Sequence, residues 1–345
     1  MPTRTISTSS LSLILLALCA CGAKPPEPTP SAPPAPKVFD AGARAQWYRQ
    51  CWGYFNDKQW DNFTRCYAPD AVSQQAGYGQ PEVQGAAAIV ASAQQTAATA
   101  PDVRGEQQLI LINAGHLASL SVLHGTNTGP MKDPSGKEGK PTGKGFGLWF
   151  GHSIEVSEDP QQVTREFGVS DGGTMAAHLG LSKAPTRAVM APLTTPVTVV
   201  VAAHDSAEEA NIATDKAGIE AWNRHDAAAV QALESDDYTL HDASYPKDLN
   251  RSENAADSKG YWAGFSDARL VPSSVWAAGP YVVVEARFEG TNNGDLPMMK
   301  MKKTGRKVSV PFLEIDRFSN GKIAEAWLLY DSAAFGAQLS GPAPR

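Results

Sequence analysis

Apolar residues recur at helical spacing at the head of each half of the chain and at strand spacing through most of the rest. Trp47, Tyr48, Cys51, Trp52 and Phe55 fall on one broad face and predict an amphipathic helix, with Asp40 as its N-cap. A short second helix is expected over about 60–67, closed by Pro69, and an Ala-rich third over about 85–98. Strands follow at 108–112, 117–123, 145–154 and 162–169, separated by Gly- and Asn-containing turns. The second half opens the same way. Ser206 and Glu209 have capping-box spacing, and Ile212, Ile219 and Trp222 mark a buried helical face. Its strands are expected at 270–276, 281–289, 307–317 and 323–329, with Ser319-Asn320-Gly321-Lys322 as a hairpin turn. Helices followed by a run of strands is α+β order. It predicts two tandem cone-shaped domains, each with N-terminal helices packed on a curved antiparallel sheet. Val197–Val201 is β-rich, but the pattern gives it no place.

The halves match residue by residue. Phe55-Asn56 and Trp222-Asn223 each stand fourteen residues before Pro69-Asp70 and Asp236-Asp237. Tyr78 and Tyr245 follow eight residues after the Asp that ends each pair. Asp102 and Asp267 each precede a Gly-Thr-Asn turn by 23 residues, at Gly125 and Gly290. Thr142-Gly143-Lys144 matches Thr304-Gly305-Arg306, and Phe167 and Trp327 each stand four residues before an Asp, Asp171 and Asp331. A repeat of about 160–167 residues is far longer than a solenoid unit and has the size of a whole domain. The expected domains are 41–181 and 206–340, joined by a Pro- and Thr-rich linker at 182–205.

Composition narrows the classes. The net charge is −6 and no basic stretch marks a nucleic-acid surface. No Cys/His group has zinc spacing, so no metal is expected. At the N-terminus, Arg4 precedes a short apolar run, Leu11 to Leu18, too short to span a bilayer. Residues 1–20 are read as a signal peptide. Leu18-Cys19-Ala20-Cys21 resembles a bacterial lipobox, which implies cleavage before Cys21 and a lipid on its thiol. Gly22 at the next position resembles lipoproteins sorted to the outer membrane. Residues 21–40 then form a tether: Lys24 to Lys37 holds seven prolines and favours polyproline II, about 40 Å long. The expectation is an exported protein anchored to the cell envelope. An oxidising compartment permits Cys51 and Cys66 to pair; two buried thiols are the alternative.

Phe55-Asn56…Tyr67-Ala68-Pro69-Asp70, Trp222-Asn223-Arg224-His225-Asp226, the Gly-Thr-Asn turns, and Asn320-Gly321-Lys322 through Trp327 to Asp331 together resemble the SnoaL-like polyketide cyclase family. The resemblance covers about 43–181 and 206–340. It implies the cone fold of nuclear transport factor 2 and ketosteroid isomerase. It also implies an aldol-type ring closure or isomerisation with no metal and no cofactor, in which an Asp of the Trp-x-x-x-Asp segment carries the proton. Asp331 and Asp171 match that Asp. Domain one departs from the pattern, with Phe167 for Trp, Glu158-Asp159-Pro160 as its turn and His178 opposite Gln338, so Asp331 is the stronger candidate. Asn127 and Asn292 stand where the family often has His.

A carboxylate at the mouth of an apolar cone loses hydration, and its pKa rises toward that of a useful base. Hydrogen-bond donors must then meet the enolate oxygen. Candidates are Asn223, Tyr245 and Asn292 in domain two, and Asn56, Tyr78 and His152 in domain one. Trp327 is expected as cavity wall, and His124 as a group facing the cavity. For Asn56 and Asn223 the competing role is helix capping, and for His152 a core position. The expected partners are a small hydrophobic ligand, a membrane through the lipid anchor, no nucleic acid, and the two domains themselves as an intramolecular pseudo-dimer. The competing function is a non-catalytic ligand-binding or scaffold lipoprotein.

Overall fold

The computed structural model describes residues 40–76, 82–132, 138–158 and 161–341. Cys21, the signal peptide, the tether and Tyr78 lie outside them. In chain order the first half contains α1 (Ala41–Asn56), α2 (Trp60–Thr64), β1 (Tyr67–Gln75), β2 (Val83–Gln84), α3 (Ala86–Thr99), β3 (Arg104–Asn113), β4 (His116–Thr126), β5 (Met131–Lys132), β6 (Glu138–Gly139), β7 (Gly145–Val156), β8 (Val163–Ser170) and α4 (Gly172–His178). After β9 (Thr198–Val201) the second half repeats the set except for β5 and β6. It holds α5 (Ser206–Asn223), α6 (Ala227–Leu233), β10 (Glu234–Asp242), β11 (Leu249–Asn250), α7 (Arg251–Gly264), β12 (Arg269–Ala278), β13 (Tyr281–Thr291), β14 (Lys307–Ser319), β15 (Lys322–Tyr330) and α8 (Ser332–Ser340).

The sheets run β2-β1-β8-β7-β4-β3-β9 and β11-β10-β15-β14-β13-β12, the same order with one strand added to the first. The class is α+β, two cones in tandem. Three details depart from the sequence reading. β1 and β10 are strands, and each pairs parallel to the last strand of its cone. Pro69 therefore sits not at a helix end but in the register shift between Tyr67 and Val72, where a missing N–H breaks no ladder bond. β9 pairs parallel with β3, so the segment read as a linker returns a strand to the first sheet. Asp205, not Ser206, caps α5, and the capping box lies at Asn250/Glu253 of α7.

Both faces of each sheet are apolar, and the period-2 alternation of strands separates two cores. In cone one, Ile110, Ile112 and Leu123 point to the helices, packed under Tyr48, Phe55, Ile89 and Val90. Their neighbours Leu109, Leu111, Leu120 and Val122 point away and meet Leu313, Ile315, Trp327 and Leu329 of cone two. The two sheets thus pack through their outer faces within the compact unit 39–345. At Gly151 the approach is so close that a Cβ would lie 2.5 Å from Leu329 and 2.8 Å from Leu313. Polar contacts cross the same seam: Arg165 pairs with the buried Glu285 at 2.7 Å, and Ser153 donates to Glu285 at 2.5 Å.

Asparagines brace the frame identically in both cones. Asn56 exchanges two hydrogen bonds with the backbone of Gly105, and Asn223 does the same with Leu270. Cone one has a further brace. Cys51 on α1 is disulfide-bonded to Cys66 ahead of β1, with Cα atoms 6.0 Å apart. Fifteen residues also separate Gly218 and Leu233, the equivalent pair in cone two, which has no thiols to join.

Candidate functional site

Each cone encloses a cavity between its helices and the concave face of its sheet. The cavity of cone one, ~510 Å³, is walled mainly by aromatic and aliphatic side chains, Trp47, Trp52, Phe55 and Phe150 among them. One polar chain crosses this wall. His152 on β7 has its Nε2 3.0 Å from Glu166 Oε2 on β8. Its Nδ1 is 2.8 Å from the hydroxyl of Tyr48 on α1, which lies 2.7 Å from Ser119 Oγ. Glu166 also accepts from Tyr67 Oη at 2.9 Å, Ser73 Oγ at 2.5 Å and Gln75 Nε2 at 3.1 Å.

All members of the chain are buried: Tyr48 is 2% exposed, His152 6% and Glu166 3%. Burial alone raises the Glu166 carboxyl, but the hydrogen bond from His152, with those from Ser73 and Tyr67, holds it below the usual carboxylate range. Glu166 is then ionised at neutral pH and only accepts. That assigns the imidazole hydrogen to Nε2, and Nδ1 presents a lone pair to the Tyr48 hydroxyl. Tyr48 in turn accepts from Ser119. Burial pushes the Tyr48 phenol well up, so it stays protonated and serves as a donor. The result is a base with a fixed tautomer and an acid side by side in an apolar pocket.

The same backbone positions in cone two carry other chemistry. Asp215 stands eight residues before Asn223, as Tyr48 stands eight before Asn56. Glu314 pairs with Leu328 as His152 pairs with Gly168, and Asp316 pairs with Ala326 as Ile154 pairs with Glu166. Glu234 replaces Tyr67 and Asp242 replaces Gln75 at matching register positions. With Asp257 of α7, six carboxyls line this smaller cavity of ~180 Å³. Burial is the first cause of a raised pKa in every one: Asp215 to about 6, Asp242 to about 7, Glu314 to about 8, Asp316 well above the ordinary range, and Glu234 and Asp257 in the same direction.

Most sequence candidates stand elsewhere. Asp331 and Asp171 line neither of these cavities. Each is the N-cap of the helix after its last strand, where free helix N–H groups claim the carboxylate. Each also reaches the other cone: Gly172 N donates to Asp331 at 3.1 Å, and Ser332 N donates to Asp171 at 2.8 Å. Burial, then the charge of Asp171, raises the Asp331 carboxyl to about 6. The high pKa of a buried acid is present, but it serves a junction rather than a pocket. Trp327 points outward and stacks on His241 at 5.2 Å. His124 lies 3.4 Å from Glu106, off the cavity wall. Asn56 and Asn223 are the braces described above. Asn292, fully buried, ties its turn together by donating to Gly264 O and Gly294 O while accepting from Thr304 N. Tyr245 donates to Asp257 and so stands one step behind the cavity wall. Among the described candidates His152 alone faces a cavity. Glu166 carries no sequence signal, because an aromatic at position 167 or 327 placed in the cavity wall turns the residue before it outward. Once Phe167 is placed outside, strand alternation puts Glu166 inside.

Family comparison agrees with the duplicated frame. The model of SnoaL-like polyketide cyclases matches residues 213–339, and that of the SnoaL-like domain matches residues 46–166. No curated protein matches the chain. Among solved structures, a protein of Jannaschia sp. CCS1 assigned as a SnoaL-like polyketide cyclase is 19% identical over 40% of this chain and 97% of its own, with a TM-score of 0.38. A nuclear transport factor 2-like protein of unknown function from Burkholderia pseudomallei K96243 is 20% identical over 38% and 98%, with a TM-score of 0.33. TerC, co-crystallised with polyporic acid, is 16% identical over 38% and 99%, with a TM-score of 0.32. Two family matches on two sheets of the same strand order make this chain a tandem SnoaL-like protein.

Proposed function

We propose that cone one is the reactive centre, a cofactor-independent cyclase or isomerase site for a small hydrophobic carbonyl compound, with His152 as the base in place of the expected Asp. The Tyr48–His152–Glu166 chain in the wall of the larger cavity carries this reading. A ligand carbonyl oxygen takes the hydrogen bond of Tyr48, which frees the Nδ1 lone pair of His152. Nδ1 then removes the α-proton: the C–H bond breaks, the N–H bond forms, and the electron pair moves to the carbonyl oxygen, which Tyr48 holds as an enolate. Glu166 balances the imidazolium. The proton returns to another carbon in an isomerisation. In a ring closure the enolate carbon attacks a second carbonyl, and the new alkoxide takes the proton.

The test is α-proton exchange of hydrophobic cyclic ketones in D₂O, followed by NMR. The wild type is expected to accelerate exchange, and His152→Gln to lose about 10²-fold or more of that rate. Exchange that His152→Gln leaves unchanged overturns the assignment. Ketone binding without exchange in the wild type assigns the cone to ligand binding instead.

The same proposal places the protein outside the cytoplasm, anchored by lipid on Cys21. The lipobox-like Leu18-Cys19-Ala20-Cys21 and the Cys51–Cys66 disulfide support it, since disulfides persist in oxidising compartments. Cys21→Ser is expected to move the protein from the membrane fraction to the soluble one. The shared outer-face core and the reciprocal Asp171/Asp331 caps support reading the two cones as an intramolecular pseudo-dimer.

A further inference from the structure

The wall of the second cavity presents six carboxyls and no lysine, arginine or histidine. Buried carboxylates are costly unless a positive charge or donors meet them. Here the protein leaves part of that demand open. Asp215 is 4% exposed, its Oδ2 has no partner among the described residues, and the side chain hydrogen-bonded to it is another carboxyl, Asp316, which must keep a proton to donate. Arg251 stands 3.8 Å from Glu234 but is turned to Asp236 and the Gln231 carbonyl. Much of the remaining wall is aromatic. Trp222 and Tyr261 sit edge-on around Phe288, with centroids 6.1 Å and 5.7 Å from it, and Tyr238 and Phe312 also line the cavity. Carboxylates beside aromatic faces are the chemistry that recognises an organic ammonium. A metal ion does not suit the same groups: among the described residues no set of three or more acidic, His or Cys side chains is arranged to hold one.

We infer that cone two binds a small hydrophobic amine as its ammonium ion, with Asp215 and Glu314 taking the charge and Trp222, Phe288 and Tyr238 enclosing the apolar body. The inference rests on the second cavity alone and is independent of the chemistry proposed for the first. A cavity of ~150 Å³ accepts benzene, so ~180 Å³ suits roughly eight non-hydrogen atoms, the size of benzylamine.

The groups facing the charge come from every wall. They are Asp215 of α5, with the charge of Lys216 acting on it, Glu234, Tyr238 and Asp242 of β10, Asp257 and Tyr261 of α7, Glu314 and Asp316 of β14, and Tyr330 of β15. The tyrosines stay neutral, since burial raises them further. Asp215, Asp242 and Glu314, raised to about 6, 7 and 8, lose their protons between pH 6 and 8, while an alkylammonium stays charged. Binding therefore tightens as pH rises and releases protons.

Calorimetry of the intact protein with benzylamine and with its neutral isostere benzyl alcohol tests this. At pH 8 benzylamine is expected to bind about tenfold or more tightly than the alcohol. Its affinity should rise between pH 6 and 8, and its heat should depend on the ionisation enthalpy of the buffer. Asp215→Asn should weaken benzylamine about tenfold and leave the alcohol unchanged; Glu314→Gln provides the same test should Asp215→Asn not fold. Benzylamine no tighter than the alcohol, or an affinity that neither substitution changes, overturns the inference.

Discussion

Where α1 of cone one carries Tyr48, α5 of cone two carries Asp215; where β7 carries His152, β14 carries Glu314; and where β8 carries Glu166, β15 carries Ala326. The frame around these positions is common to both. The asparagine braces, the buried Gly-Thr-Asn turns and the strand order are the same. The difference lies in how each cone meets its buried charge. Cone one surrounds a single carboxylate with four donor side chains, and its pKa falls. Cone two brings six carboxyls together with few donors, and every pKa rises. The backbone fixes where the polar groups converge. Whether donors meet the buried charge depends on the side chains alone.

The largest expected difference is covalent. Replacing Cys51 and Cys66 by Ala should destabilise cone one by about 3 kcal/mol, the usual effect of opening a loop of this length. Hydrogen exchange should rise in α1 and β1 and stay unchanged in α5 and β10. Equal loosening of both cones would show that the shared outer core couples them too strongly to be compared separately.

The braces should behave alike. Asn56→Ala and Asn223→Ala each leave a backbone N–H and a backbone C=O without their partner, at about 2 kcal/mol in each cone by chemical denaturation. Clearly unequal costs would break the claim of a common frame.

Neutralising one carboxyl should have opposite signs in the two cones. Glu166→Gln places an amide donor among Tyr67, Ser73 and His152, and should cost about 2 kcal/mol at pH 7. Glu314→Gln removes a buried charge and should raise stability by about 1 kcal/mol at pH 8. Destabilisation by Glu314→Gln at pH 8 would mean the carboxylate has partners of its own in the apo protein.

The pH response separates the two cones by its sign. Folded-state pKa values near 6, 7 and 8 for Asp215, Asp242 and Glu314 lie above the unfolded carboxyl range. The folded cone then holds extra protons, and its stability falls as pH rises from about 4 to 8. Glu166 has the reverse sign. Its contribution is full above the unfolded pKa and is lost only as pH falls through the lowered folded value. Exchange corrected for its intrinsic pH dependence should therefore show cone two better protected at pH 5 than at pH 8, and cone one at least as well protected at pH 8.

Much of the frame was legible in the chain. The 3.6 and 2.0 periodicities located α1, α3, α5 and eight of the long strands within a few residues, because one-dimensional spacing reports which faces are buried. Matched asparagines, turns and aromatic–Asp pairs established the duplication without coordinates. β1 and β10 escaped detection because a parallel strand with a register shift and polar positions lacks clean alternation. The helices after Asp171 and Asp331 are too short and Gly- or Ala-rich to show a period.

The sites were less legible. A strand with apolar residues on both faces does not say which face meets the helices, so Trp327 and His124 were assigned to the wrong side. An Asp after a strand has the same sequence whether it caps a helix or enters a cavity; only the positions of the Gly172 and Ser332 N–H groups decide that Asp331 and Asp171 join two cones. The convergence of Tyr48, His152 and Glu166, and of Asp215, Glu314 and Asp316, draws on residues about a hundred positions apart. Local pattern carries secondary structure and repetition. The distance between such side chains is set by strand register and the closure of the cone, and only the tertiary structure contains it.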